Sequence, residues 1–223
     1  MRRPSLLTVY RRLRRRFGAA GWWPGDTAFE VCVGAILTQG TAWTNVEKAL
    51  SVLRARGRLS YAGLAGLPPS RLAPLIRPAG FFRVKAARLA AFVRFLGRGF
   101  GGRVEAMRRV DRWSLRERLL AVPGIGRETA DAIALYAAGR RLFVVDAYTR
   151  RVFARLGFLG GGETYDEVQA LFMDRLPARA ALYGDFHAQI VRLAKDHCRK
   201  NPRCGGCPLD DVCPRAGLPE VSP

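Results

Sequence analysis

One short string, Val122-Pro123-Gly124-Ile125-Gly126, limits the folds open to this chain more than any other. Before it, Ser114-Leu115-Arg116-Glu117 has the pattern of a capping box opening a short amphipathic helix, which the proline and glycines then stop. After it, Arg127-Glu128-Thr129-Ala130-Asp131-Ala132-Ile133 starts a second helix. The string therefore predicts helix, tight hairpin, helix. Glycines at both hairpin positions allow positive φ and close approach of another molecule, and the second helix offers unpaired N–H groups and the positive end of its dipole. Such a hairpin is a socket for a phosphate. The same string also suits an ordinary corner between two helices, so the rest of the chain has to decide.

The flanking sequence is helical throughout. Leu6, Val9, Tyr10, Leu13 and Phe17 recur at helical spacing with arginines on the other face, predicting a basic amphipathic helix within residues 1–20. Trp22-Trp23-Pro24-Gly25-Asp26 breaks that pattern, and Thr27-Ala28-Phe29-Glu30 is a second capping box before an apolar helix to about Thr38, which holds Cys32 as a core residue. Gln39-Gly40-Thr41 interrupts. A helix from about Ala42 to Arg56 carries Trp43, Val46, Leu50 and Leu53 on one face, a short one lies within Leu64 to Pro78, and a long one follows Gly80-Phe81-Phe82 to about Leu96. A glycine-rich link, Gly97 to Gly102, leads to the hairpin. Beyond it, Phe143-Val144-Val145-Asp146 is an apolar run ending in a candidate N-cap for a helix to about Leu156. Thr164-Tyr165-Asp166-Glu167 is a third capping box, and the last helix runs from about Leu182 into the first cysteine of the tail. No convincing period-2 segment and no internal repeat occur, so the fold class is all-α.

Charge narrows the partner. With 38 Lys+Arg against 18 Asp+Glu the formal charge is 38 − 18 = +20. That balance favours a polyanion through phosphate neutralisation and counterion release, with nucleic acid ahead of an acidic membrane surface, for which no broad apolar anchoring face is present. No apolar run approaches bilayer-spanning length, and the Arg-rich start lacks an apolar signal core, which predicts a cytoplasmic protein.

Four of the five cysteines close the chain as Cys198-x5-Cys204-x2-Cys207-x5-Cys213. The x2 pair suits two thiolates on one metal centre, and the flanking cysteines complete a four-thiolate set. Structural zinc on four cysteines usually uses two close pairs. One central pair with two lone flanking ligands fits a 4Fe–4S iron–sulfur cluster better, with zinc as the alternative.

Taken together, the hairpin, an aspartate twenty residues past its second glycine and the terminal cysteine loop resemble the endonuclease III family of helix-hairpin-helix DNA glycosylases. The resemblance covers nearly the whole chain, from Gly34-Ala35-Ile36-Leu37-Thr38-Gln39 through Val122-Pro123-Gly124-Ile125-Gly126 and Val144-Val145-Asp146 to the cysteines. It implies a six-helix domain over residues 24–140 and a discontinuous second domain, 1–23 with 141–223, around a 4Fe–4S cluster on Cys198, Cys204, Cys207 and Cys213. The first cysteine gap is one residue shorter than the usual family spacing. It implies base excision on double-stranded DNA with a flipped damaged base, by a monomer that does not use a membrane.

Strand-cutting members carry a lysine two residues after the second hairpin glycine, and here that residue is Glu128. A carboxylate forms no Schiff base, so that route is closed. The family aspartate maps onto Asp146, whose carboxylate would stabilise a developing oxocarbenium ion and steer a water; an N-cap role fits the same residue. A base alkylated at a ring nitrogen already carries positive charge and a weakened bond, so it needs chiefly a pocket and one carboxylate. Trp22, Trp23 and Trp43 are candidates to stack on such a base, although each also suits a core position. Trp22-Trp23-Pro24-Gly25-Asp26, Leu37-Thr38-Gln39-Gly40-Thr41-Ala42-Trp43, Gly126-Arg127-Glu128-Thr129-Ala130-Asp131 and Phe186-His187-Ala188 resemble the 3-methyladenine glycosylase branch. Gln39 matches the family glutamine that fills the gap left by the flipped nucleotide. Gly124, Gly126 and Arg127 are the expected DNA contacts of the hairpin, and Glu128 adds negative potential or occupies the lysine's place. His187 and His197 are too few and too isolated to argue catalysis, His187 reads as a buried, hydrogen-bonded helix residue, and Lys195 has no assigned chemistry.

Overall fold

A computed structural model describes residues 3–19 and 25–218. All regular structure among the described residues is helical, and no helix there is long and apolar enough to cross a membrane. The chain divides into two compact units, Trp23–Arg140 and Met1–Trp22 with Arg141–Pro223.

In the first unit the helix Ala28–Leu37 (α2) is buried from Phe29 to Leu37. A helix apolar on every side belongs at a centre. Around it pack α3 (Trp43–Ala55), α6 (Phe82–Phe100) and α8 (Arg127–Ala132) with its continuation, one π-helical stretch over Ile133–Ala137. Thr27 caps α2 by accepting from the Glu30 N–H at 3.1 Å, but Glu30 returns its bond to the Asp26 N–H at 3.2 Å, one residue before the cap. Glu30 also pairs with Arg54. After α4 (Tyr61–Leu64), the stretch expected to hold one short helix within Leu64 to Pro78 holds α5 (Pro69–Leu72), followed by a 3-10 run over Ala73–Ala79, because its prolines withhold the N–H groups that a longer helix needs.

Two helix ends differ from expectation. The long helix α6 does not stop at Leu96 but continues through Gly97 and Gly99 to Phe100. A Cβ at Gly97 would overlap the Tyr61 hydroxyl and one at Gly99 would come within 2.7 Å of Arg118 Nη2, so these glycines serve close packing inside a helix. The helix before the hairpin, α7 (Arg112–Leu120), starts three residues earlier than the Ser114 capping box predicts. Asp111 takes the cap, accepting from the N–H groups of Trp113 at 2.8 Å and Ser114 at 3.3 Å. Ser114 is already inside the first turn, with Leu115 and Leu119 turned into the core.

The second unit gathers α1 (Leu6–Phe17), α9 (Ala147–Arg155), α10 (Tyr165–Arg175) and α11 (Ala180–Asp196). Its core is aromatic: Phe143 stacks on Phe172 at 4.0 Å between centroids, and Phe153, Tyr183 and Phe186 meet these rings edge-on. Thr164 and Glu167 form the full reciprocal capping box at the start of α10. In α1, Leu6, Val9 and Leu13 are buried as the spacing requires, and Tyr10 stands at the margin with its hydroxyl on Asp185 at 2.6 Å.

Candidate active site

Three side chains around the hairpin form one hydrogen-bonded set. Gln39 Nε2 donates to the Gly124 carbonyl at 3.0 Å and to Thr129 Oγ1 at 2.9 Å, while its Oε1 accepts from Arg88 Nη1 at 2.5 Å. Gly124 has φ +85°, and a Cβ there would run into the aliphatic stem of Arg88. Gly126 differs from expectation. Its backbone is extended, φ −91° and ψ 178°, as the cap of α8, and a Cβ there would meet nothing within 4 Å. Only the approach of an outside molecule would require a glycine at that position. Arg127 and Glu128 follow as the first two residues of α8, both exposed, with Glu128 placed where a helix dipole favours an anion. Behind them Arg116 Nε meets the fully buried Asp131 at 2.9 Å and ties α7 to α8.

The loop carrying Gln39 is anchored from below by Lys85, which is 1% exposed and donates to the carbonyls of Leu37 at 2.7 Å and Ala79 at 2.8 Å. Burial, followed by the neighbouring Arg88, pushes its pKa down. Phe81 precedes α6 in the left-handed region, φ 45°, and is 72% exposed beside Gly40. A non-glycine residue held there with its ring in solvent is uncommon.

Trp43 is half-buried at the start of α3, not wholly on the core face with Val46, Leu50 and Leu53. Its Nε1–H donates to Glu47 at 2.8 Å, which holds the indole beside a hollow of about 390 Å³. Among the described residues, Asp26, Glu30, Glu47 and Arg54 line that hollow with Trp43. Trp22 and Trp23 lie outside the described residues.

In the other unit, Asp146 caps α9: Oδ1 accepts from the Thr149 N–H at 2.6 Å. Oδ2 faces His187 Nε2 across 3.4 Å, and His187 is buried in α11 as the sequence suggests. Burial works against the Asp146 charge, but His187 and the Thr149 N–H outweigh it and hold the carboxyl below the usual carboxylate range. Val144 and Val145 are buried in the lead-in, and the Val145 N–H donates to the Tyr165 hydroxyl at 3.3 Å. Further along the same helix, Arg151 Nε donates to the Cys198 carbonyl at 2.7 Å and Arg155 Nη1 to Cys198 Sγ at 3.3 Å and the Arg199 carbonyl at 2.5 Å. One helix therefore carries Asp146 at its start and clamps the cysteine loop at its end. Burial, then the three other cysteines, pushes the Cys207 thiol up to about 11, which marks the four sulfurs as one neighbourhood. Among the described residues no three His, Cys, Asp or Glu side chains close around a single-ion site.

A family model for the HhH-GPD superfamily of base excision DNA repair proteins matches residues 33–178. The chain is an HhH-GPD protein. It is 42% identical over 207 residues, 92% of this chain and 94% of the relative, to a Methanocaldococcus jannaschii protein provisionally designated a DNA repair glycosylase. It is also 32% identical to the endonuclease III of Thermotoga maritima over 83% of this chain and 82% of that protein. Among solved structures, the H. pylori 3-methyladenine DNA glycosylase bound to 1,N6-ethenoadenine superposes with a TM-score of 0.73 at 31% identity, covering 86% of this chain and 98% of that one. An endonuclease III–DNA complex superposes with a TM-score of 0.79 at 25% identity over 93% of each chain. This HhH-GPD protein is a base excision repair DNA glycosylase. Phe81 and Arg88 in the first unit and His187 in the second carry no local signal in the sequence beyond the Phe186-His187-Ala188 string.

Proposed function

We propose that this HhH-GPD protein hydrolyses the N-glycosidic bond of alkylated purines such as 3-methyladenine in duplex DNA and leaves the strand uncut. The observation that carries the reading is the Trp43 hollow, where a fixed indole and three carboxylates, offset by the single cation Arg54, face one space. A ring face with negative charge around it attracts a flat cation, and a stacked base gains on the order of 1–3 kcal/mol. A neutral oxidised pyrimidine gains much less from such surroundings. Trp22 and Trp23, which lie outside the described residues, are candidates for stacking by the sequence resemblance alone.

The chemistry asked of the chain is small. The C1′–N bond breaks and the alkylated base leaves neutral, without needing a proton. Asp146, already ionised and oriented by Thr149 and His187, stabilises the positive charge developing at C1′ and directs a water to it. A C1′–O bond forms and the water's proton passes to Asp146, and from there to solvent. Glu128 supplies no amine, and Lys85, the buried lysine nearest the hairpin's partner Gln39, already spends its amine on two backbone carbonyls. Gln39 fills the vacated position, Phe81 presses on the opened stack, and the backbone at Gly124, Gly126 and Arg127 receives a phosphate. Cys198, Cys204, Cys207 and Cys213 would hold a 4Fe–4S cluster, whose contribution is to close the tail into a fixed loop on α9. The four-sulfur donor set fits, and one central pair with two lone flanking cysteines suits such a cluster better than the two close pairs usual for structural zinc.

Incubation with methylated duplex and analysis of the released bases tests the reading. Release of 3-methyladenine, without borohydride trapping of the protein on an abasic duplex, is expected; no release above background overturns it. The extended similarity to endonuclease III favours one other reading, excision of oxidised pyrimidines. A covalent adduct on a thymine-glycol duplex would establish that one instead.

A further inference from the structure

The Gln39 amide has no donor to spare. Both Nε2 hydrogens are spent, one on the Gly124 carbonyl and one on Thr129 Oγ1, and Oε1 receives Arg88. The orientation is unambiguous, because a turned amide would point its NH2 at a guanidinium and its oxygen at a carbonyl. Arg88 is itself seated: its stem fills the space left by the missing side chain of Gly124, within the same ring of contacts. A glutamine held this way cannot donate to an orphaned base, and so cannot pair through both ends of its amide, until it gives up a protein partner.

We propose that Arg88 is a positioning and specificity-determining residue that parks Gln39 against the hairpin and releases it to an orphaned base whose pairing edge aligns with both ends of the amide. The inference rests on the reading of Gln39 as the gap-filling residue. Three hydrogen bonds inside the protein, one of them to a charged group, must be exchanged for those with DNA. All four bases offer a donor and an acceptor on the pairing edge, but in different order and at different reach, so one that aligns with both ends of the amide offsets that loss and one that meets a single end does not. The base opposite the lesion is thereby read through Arg88, which touches no base, and the guanidinium set free at the hairpin gains a phosphate as its new partner.

The test uses the full chain and duplexes carrying a tetrahydrofuran abasic analogue opposite each of the four bases, with an undamaged duplex as reference. Wild type is expected to prefer the abasic duplexes and to spread its dissociation constants across the four by at least about fivefold, the scale of a bidentate amide–base pair. Arg88→Met keeps the stem over Gly124 and removes the donors, so the spread should collapse to within about twofold as the poorly matched duplexes bind more tightly. Thr129→Val releases the opposite end of the amide and should shift the spread the same way, whether or not the Arg88 variant folds. In a Gln39→Ala background both substitutions should have no further effect on the spread. An unaltered spread in Arg88→Met and Thr129→Val, or an equal effect with and without Gln39, overturns the proposal and leaves Arg88 a packing residue. A wild type that prefers abasic duplex but shows no spread also overturns it. Indifference of wild type to the abasic site defeats the reading of Gln39 as the gap-filling residue, and this proposal with it.

Discussion

The hairpin glycines look equivalent in the string Pro123-Gly124-Ile125-Gly126, yet the structure gives them different work. Gly124 is needed by the fold, since its φ of +85° and the Arg88 stem both exclude a side chain. Gly126 is not, since its backbone suits any residue and its Cβ direction is open. Gly124→Ala should lower stability by roughly 2 kcal/mol or more, from left-handed strain and displacement of Arg88. Gly126→Ala should lower it by less than about 1 kcal/mol, the difference between glycine and alanine at a helix cap, yet weaken DNA binding measurably if a phosphate sits against that backbone. Denaturant unfolding and duplex titration of both variants check this; equal losses of stability would refute the distinction. The sequence shows where glycine stands but not which neighbour demands it. Asp146 illustrates the same limit. Its place as an N-cap was legible from Val144-Val145-Asp146, whereas its partner His187 lies forty-one residues away and nothing local announces it.

Among the elements, what local sequence decides well is where helices begin. Thr164 with Glu167 makes its capping box as written, and Thr27 caps α2 with Glu30 diverted to Asp26. Where competing caps lie close, Asp111 against Ser114, packing of Leu115 and Leu119 selects between starts that local chemistry leaves nearly equal. Glycine misleads in the other direction: Gly97 and Gly99 read as a link and are helix, because Tyr61 and Arg118 occupy the space that side chains would take. Lys85 acts at this scale too. Its ammonium caps the last turn of α2 and the end of the Ala73–Ala79 run together, the arrangement favoured by both helix dipoles, and so sets the loops bearing Gln39 and Phe81. Lys85→Met should cost roughly 2–5 kcal/mol by stranding two buried carbonyls, read as a lower midpoint in urea. A loss below about 1 kcal/mol would mean that other groups satisfy them.

Across the whole molecule the net charge of +20 is the property that sequence states outright. Affinity for undamaged duplex should fall steeply with salt, the logarithm of the binding constant dropping by about 0.9 for each neutralised phosphate per decade of salt concentration. The ratio of abasic to undamaged affinity should change far less, because base-gap contacts displace few counterions. Titrations at several salt concentrations check both; a flat salt response for undamaged duplex would refute the electrostatic account. Charge, helix periodicity, capping residues and the cysteine spacing are local or summed quantities, so the all-helical class, the hairpin and the thiolate loop were determined by the sequence alone. The Gln39–Arg88–Gly124 ring, the Asp146–His187 pair, the clamp of Arg151 and Arg155 on Cys198 and the exposure of Phe81 were decided only by the tertiary structure. Each of them depends on which distant backbone leaves room beside a side chain, and no window of sequence contains that distance.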